Sequence, residues 1–341
     1  MKRIHIQKKL LSLLPLLFLF LILLFPTQAR NGASSGLLLW FNVLLPTLLP
    51  FMILSDLIRR LHIIDTLCNR IASRTGRNLY FLYPLLLGLL CGLPLGAKLT
   101  AEAVRSGHLS RKQGHFLLTV CNNSSTMFLM GYVADVQLQR PELIGCFILL
   151  VPLSSLLAAI LQTIFSTCFT KICTHGFAHD SSGNLQQRTV TSRPHRSHTS
   201  IVAHSVPDAS SLQNDPSPSR ASFITSVSNS IMDSFAVITQ VGGFVILFSV
   251  LAEFALLIDS PLTLPLVAAL EITTGVRSIC VSTLSENAKT ILSAATVSFT
   301  GLSGIAQTAC VLSETGLSLL RYIISRLLSA ALCTMFFWFL L

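Results

Sequence analysis

Apolar residues fall in long blocks separated by short polar ones. Residues 10–25, 36–58, 79–97, 113–134, 143–170, 231–258, 261–276, 288–312 and 317–341 are predominantly apolar. A bilayer-spanning helix needs about 20 such residues. Blocks 36–58, 143–170, 231–258 and 317–341 meet that length as plain helices. Pro46 and Pro50 predict a kink in the first of them. Block 79–97 holds Pro84, Gly88, Gly92, Pro94 and Gly96, which predicts a broken or re-entrant hairpin. Block 261–276 is about 24 Å long as a helix, too short to span. Ser110 predicts a helix N-terminus for 113–134. That helix would carry Asn122, Asn123, Ser124, Ser125 and Thr126 at mid-span, and 288–312 is likewise interrupted around Gly301 and Gly304.

The broken and interrupted blocks recur in order. Block 36–58 matches 231–258, 79–98 matches 262–277, 113–134 matches 288–312, and 142–170 matches 318–341. A first half that crosses the membrane three times leaves the second starting from the opposite face, which gives an inverted repeat. The expected fold is an all-α polytopic membrane protein with two inverted repeats and an additional N-terminal transmembrane helix. Its parts are an N-terminal helix over 1–35, a first repeat over 36–172, a linker over 173–222 and a second repeat over 223–341.

Lys2, Arg3, Lys8 and Lys9 precede the first apolar block. The segment reads either as a cleaved signal peptide or as an uncleaved anchor. Its length and the weak cleavage site Thr27-Gln-Ala29 favour the anchor. Arg59, Arg60, Arg70, Arg74 and Arg77 mark a cytoplasmic loop by the positive-inside rule. That puts the N-terminus on the same side, two spans earlier. Residues 171–221 are rich in Ser, Thr, His, Gln and Pro and read as a disordered cytoplasmic linker. His175, His179, His195, His198 and His204 lie there without a scaffold that would hold a metal.

Composition narrows the class. Of 341 residues, 52% are apolar and 11% charged, against about 25% charged in soluble domains. The net charge of +10 comes from bases flanking apolar blocks, not from an aromatic-interleaved patch, so nucleic acid is not an expected partner. The nine cysteines form no CxxC pair and read as small apolar residues. No HExxH, GxSxG or GxxxxGK[ST] motif is present, and neither an enzymatic activity nor a cofactor is expected.

Irregular backbone at membrane depth is tolerated only where protein buries it or a wet cavity meets it. The broken blocks therefore hold the candidate solute-binding residues. In the first half these are Gly92, Pro94, Gly96, Lys98, Asn122, Asn123, Ser124 and Ser125. In the second they are Glu271, Thr274, Gly275, Gly301, Ser303, Gly304 and Gln307. Lys98 either faces the site or snorkels to the interface beside Glu102. The polar run 122–126 either binds a carboxylate or joins helices. Gly301 and Gly304 either open the site or pack helices. Glu271 either carries a coupling proton or pairs with Arg277.

Four blocks carry a resemblance to a known family: Gly92-Leu-Pro-Leu-Gly-Ala-Lys98; Asn122 and Ser124 with 128–131; Glu271-Ile-Thr-Thr-Gly275; and Gly301-Leu-Ser-Gly-Ile-Ala-Gln307 followed by Arg326. They resemble the Gate (nucleoside-recognition) superfamily, and within it the YlbJ-like sporulation integral membrane proteins. The resemblance implies paired Gate repeats like those of concentrative nucleoside transporters. It also implies a role in forming the spore cortex, with dipicolinic acid moved from mother cell towards forespore. The implied location is the mother-cell or outer forespore membrane, and the implied partners are lipid, a small anionic solute and other sporulation membrane proteins. The alternatives are a non-transporting scaffold in a sporulation complex and a nucleoside-type transporter.

Overall fold

The computed structural model describes residues 13, 15–75, 80–176, 220–258, 260–313 and 315–341. The regular elements among them are all helical. Helix α1 (Pro15–Leu24) is followed by α2 (Pro26–Leu39), a π-wound turn (Trp40–Leu44) and α3 (Leu45–Arg60). From Pro26 to Arg60 these form a single apolar rod of 35 residues. The first long span thus takes in residues 26–35, which the sequence assigned to the N-terminal helix. The anchor expectation for residues 1–12 lies outside the described residues. The π-wound turn sits directly ahead of Pro46, where the missing N–H and the bulk of the ring disrupt ordinary helical bonding. Trp40 fixes this turn by donating its indole N–H to the Ile238 carbonyl at 2.8 Å. Gly242 leaves room for the ring, since a Cβ there would lie 2.6 Å from the indole nitrogen.

Helix α4 (Ile63–Thr75) precedes the hairpin of α5 (Leu82–Cys91) and α6 (Leu95–Arg105). Arms of 10 and 11 residues reach about 15 Å, half the hydrocarbon core, so neither arm alone is long enough to span it. A Cβ on Gly88 would lie 2.7 Å from the Cys121 carbonyl, and one on Gly96 only 2.4 Å from it. These glycines let the hairpin clasp the end of α7 (Arg111–Cys121). Helix α7 starts at Ser110, whose hydroxyl forms a reciprocal capping box with Gln113. It does not run on to residue 134. It stops at Cys121, and a π-wound helix, Phe128–Gln137, takes over beyond an irregular stretch. The polar run therefore lies in an unwound break and not in mid-helix. Helix α8 (Ile144–Gly176) completes this half.

The second half repeats the layout with α9 (Arg220–Ala255), the hairpin α10 (Thr263–Leu270) and α11 (Ile272–Val281), the broken pair α12 (Glu286–Phe299) and α13 (Gly301–Val311), and α14 (Leu319–Leu340). Helices α8 and α9 reach Gly176 and Arg220, so the ends of the expected linker are helical; residues 177–219 lie outside the described residues. Four helical stretches among the described residues are long and apolar enough to cross a membrane: Pro26–Arg60, Pro141–Ser166, Phe223–Ala255 and Leu319–Leu340. The chain is an all-α polytopic membrane protein. Helices α8 and α14 pack at its centre, with the Phe147 and Phe337 rings 4.7 Å apart.

The two hairpins enter from opposite faces. The base of α5–α6 lies with the end of the first rod, where Arg59 faces Glu102 at 3.8 Å. Arg105 there donates to the carbonyls of Val311 and Ser313 at 2.9 and 2.7 Å. Asp56 binds both Arg59 and Arg60, and Arg60 also reaches Asp233. The base of α10–α11 lies at the other end of the rod, where Ser278 and Ser282 share a cavity with Asn31 and Ser34. This opposition predicts the outcome of thiol labelling. With an impermeant reagent, Ser106→Cys reacts only from the arginine-rich face and Thr283→Cys only from the opposite one; labelling of both from one face contradicts the arrangement.

Candidate functional site: four helix breaks around one cavity

Four interruptions meet at mid-depth: residues 92–94, residues 122–125, Glu271 and Thr300. Each leaves N–H or C=O groups without helical partners, and lipid supplies none. Side chains from neighbouring breaks supply most of them. The Asn122 carbonyl oxygen accepts from the Ala97 N–H at 3.1 Å, capping α6 in trans. The Asn122 amide donates to the Thr308 hydroxyl at 2.9 Å and to the Tyr322 hydroxyl at 2.8 Å. Asn123 donates to the Val120 carbonyl at 2.6 Å, and its backbone carbonyl accepts from the Leu93 N–H at 2.8 Å. Thr126 donates to the Leu89 carbonyl and Ser124 to the Val297 carbonyl, both at 3.0 Å. The Ser125 hydroxyl accepts from the Phe128 N–H at 3.2 Å.

Arg326 is the least expected member of this network. It is fully buried on α14, and no carboxylate lies within ion-pair distance of it among the described residues. Its guanidinium donates to the Thr119 carbonyl, which lost its helical partner when α7 ended, and to Asn123 Oδ1. It also lies 5.4 Å from the centre of the Tyr322 ring. A cation placed on the last carbonyls of a helix is favoured by the helix dipole. The sequence carried the signal, an arginine within an apolar span, but gave no indication that its partner is broken backbone.

Glu271 performs the matching task in the second half. One carboxylate oxygen accepts from the N–H groups of Thr273 at 3.0 Å and Thr274 at 2.7 Å, and from the Thr273 hydroxyl. The expected pair with Arg277 does not form among the described contacts. Glu271 turns inward to cap α11, while Arg277 faces a separate cavity.

The breaks enclose a cavity of about 50 Å³, room for about three waters. Ser124, Ser125, Glu271, Thr273, Ser303 and Gln307 form its polar side. Leu44 and Leu48 from the first rod, with Val241 and Val245 from α9, form its apolar side. Gln307 donates to Ser303 at 3.2 Å. Of the residues expected at a site, Ser124, Ser125, Glu271, Ser303, Gly304 and Gln307 line this cavity. Asn122 and Asn123 do not; their polar groups are spent holding the breaks in place. Gly96 and Gly275 serve close packing, a Cβ on Gly275 lying 2.5 Å from Ala268 Cα. Gly92 and Gly301 supply positive φ at the turns. Thr273 and Thr300 line the cavity and were not expected.

Two larger cavities flank it. One of about 230 Å³ holds Pro94, Lys98 and Glu102 and shares Val241 and Gln307 with the central cavity. The other, about 660 Å³, holds Tyr132, Thr274 and Arg277. It is separated from the centre by the first turn of α11, which Tyr132 secures by donating to the Thr273 carbonyl at 3.0 Å.

Together, the long apolar helices and the broken segments packed between them define a multi-pass α-helical membrane protein. The chain is similar to the sporulation integral membrane protein YlbJ of Bacillus subtilis (strain 168), 25% identical over 94% of this chain and 81% of that protein. No family model and no solved structure matches the chain.

Two outcomes follow for purified protein. Arg326→Leu leaves the Thr119 carbonyl unpaired and loosens the 122–125 break, costing about 2–4 kcal/mol for two lost buried bonds; thermal unfolding in detergent reads this, and an unchanged midpoint refutes the role. Thr300 is β-branched yet has φ +72°, a strained conformation worth about 1–3 kcal/mol. Thr300→Gly therefore raises the unfolding midpoint, and a lowered one contradicts the strain.

Proposed function

We propose that this chain is a sporulation-associated membrane carrier needed for the spore cortex, passing a small organic anion, dipicolinic acid, from mother cell towards forespore. The sporulation context rests on the likeness to YlbJ. The carrier reading rests on one observation: four helix breaks converge on a cavity with one polar and one apolar wall, flanked by a wider cavity on each side. A protein that needed only to pack would gain nothing from breaking four helices in lipid, where each unpaired backbone group costs several kcal/mol. Broken segments at matching positions of two inverted halves are what a mid-membrane solute site requires.

The walls suit one class of solute. Leucine and valine on one side suit the flat apolar body of a small ring. Hydroxyls and an amide on the other suit its polar substituents. The central cavity is too small for such a molecule as it stands, so the hairpin tips must part to admit it. By the positive-inside rule the arginine-rich face is cytoplasmic. The wider cavity on that face shares Gln307 with the centre, so this conformation is nearer to loading from the cytoplasm.

The test is uptake of dipicolinate, and of nucleosides in parallel, by proteoliposomes holding the purified protein. Dipicolinate accumulates and nucleosides do not. Gln307→Leu lowers kcat/KM for dipicolinate about tenfold, the effect of one lost polar contact of about 1.4 kcal/mol, while the protein still accumulates in the membrane. Absence of uptake by the unaltered protein refutes the carrier and leaves the scaffold reading.

A further inference from the structure

The two flanking cavities differ in the charge of their walls. Lys98 lines the cavity on the arginine-rich face, half-buried on the first turn of α6. Its ammonium makes no hydrogen bond or ion pair with any described residue. Its charged neighbours are committed elsewhere: Glu102 faces Arg59 at 3.8 Å, and Arg105 binds the Val311 and Ser313 carbonyls. Arg277 lines the opposite cavity, two turns into α11. Its guanidinium makes no hydrogen bond or ion pair with a described residue, but it is exposed, and the carboxylate of Glu253 in the same cavity offsets its charge. Hydroxyls of Ser34, Thr274 and Ser278 complete that wall. The two cations occupy corresponding places, since each sits on the second helix of a hairpin, just past its break, and the hairpins point in opposite directions.

Unpaired charge in a membrane protein is costly and persists where it is used. A cleft with low-dielectric walls and one sign of free charge concentrates ions of the opposite sign. We propose that the cavity on the arginine-rich face is an anion-attracting vestibule controlled by Lys98. The ligand class is a small organic carboxylate. This deepens the carrier reading by giving the solute an attractive entry. The electrostatic claim is testable without any transport.

The reporter is a single thiol in each cavity of the full-length, otherwise cysteine-free protein. Cys310 borders the vestibule and is exposed, and Ser278→Cys serves the opposite cavity. Reaction rates with an anionic and a cationic methanethiosulfonate give a ratio that reads the local potential. The anionic reagent is favoured at Cys310 and not at 278, where Glu253 offsets Arg277. Lys98→Gln lowers the ratio about tenfold at Cys310 and leaves it unchanged at 278; Arg277→Gln does the reverse. That size is what one unit charge at roughly 7 Å in water does to a monoanion against a monocation. Lys98→Arg and Arg277→Lys keep the ratio, which separates lost charge from a disturbed fold. A ratio at Cys310 that favours the cationic reagent, or that ignores Lys98→Gln, overturns the proposal. Retained ratios with no dipicolinate uptake overturn the carrier reading instead.

Discussion

Hydrocarbon offers backbone no hydrogen bonds, and this constraint organises the molecule. A helix that crosses without interruption satisfies it alone. This chain breaks four helical segments at mid-depth, and each break exposes N–H and C=O groups that only protein can satisfy. Asn122, Thr126 and Arg326 do so by reaching across to another helix end or break, and Asn123 and Glu271 by binding the helix end beside them. The polar cluster at the membrane centre is therefore first a device for holding broken backbone. The residues with groups to spare for a solute are the smaller set left around the cavity, Ser124, Ser125, Ser303 and Gln307 among them.

That division explains how the pieces act as one body. Asn122 joins the tip of α6 to α13 and α14, and Asn123 with Arg326 joins α7 to α8 and α14 through Ser155, which donates to Asn123 at 2.7 Å. The first hairpin touches the second half at its tip, where Gly304 leaves room for Leu93. The tip's own N–H groups, those of Leu93 and Ala97, bind the 122–123 break.

Much of this was legible in the sequence. Gly92 and Pro94 announced the first break, the short block after Pro261 announced the second hairpin, and the matching order of blocks implied the inverted halves. The polar run at 122–126 was visible, but its state was not. Propensity alone leaves five polar residues in a helix, and only the Gly96 backbone pressed against Cys121 shows why α7 ends there. Pattern placed an interruption around Gly301 and Gly304 but not the left-handed turn at Thr300, because a threonine at positive φ is held there by its surroundings. Asn122 looked like a ligand because sequence shows a polar group without its partners. Arg277 looked like the mate of Glu271 because six residues of sequence do not say that a helix cap faces inward and the next turn outward.

The central claim is that the space between Leu93 and Gly304 is the solute's path. A Cβ on Gly304 would lie 2.9 Å from Leu93 Cδ1, so cysteines at these two positions in a cysteine-free protein are close enough for a short, reducible bis-methanethiosulfonate bridge. The decisive measurement is dipicolinate uptake by proteoliposomes holding that double variant, cross-linked and then reduced. The account predicts no uptake while the bridge is closed and recovery on reduction. Undiminished uptake with the bridge closed would contradict it.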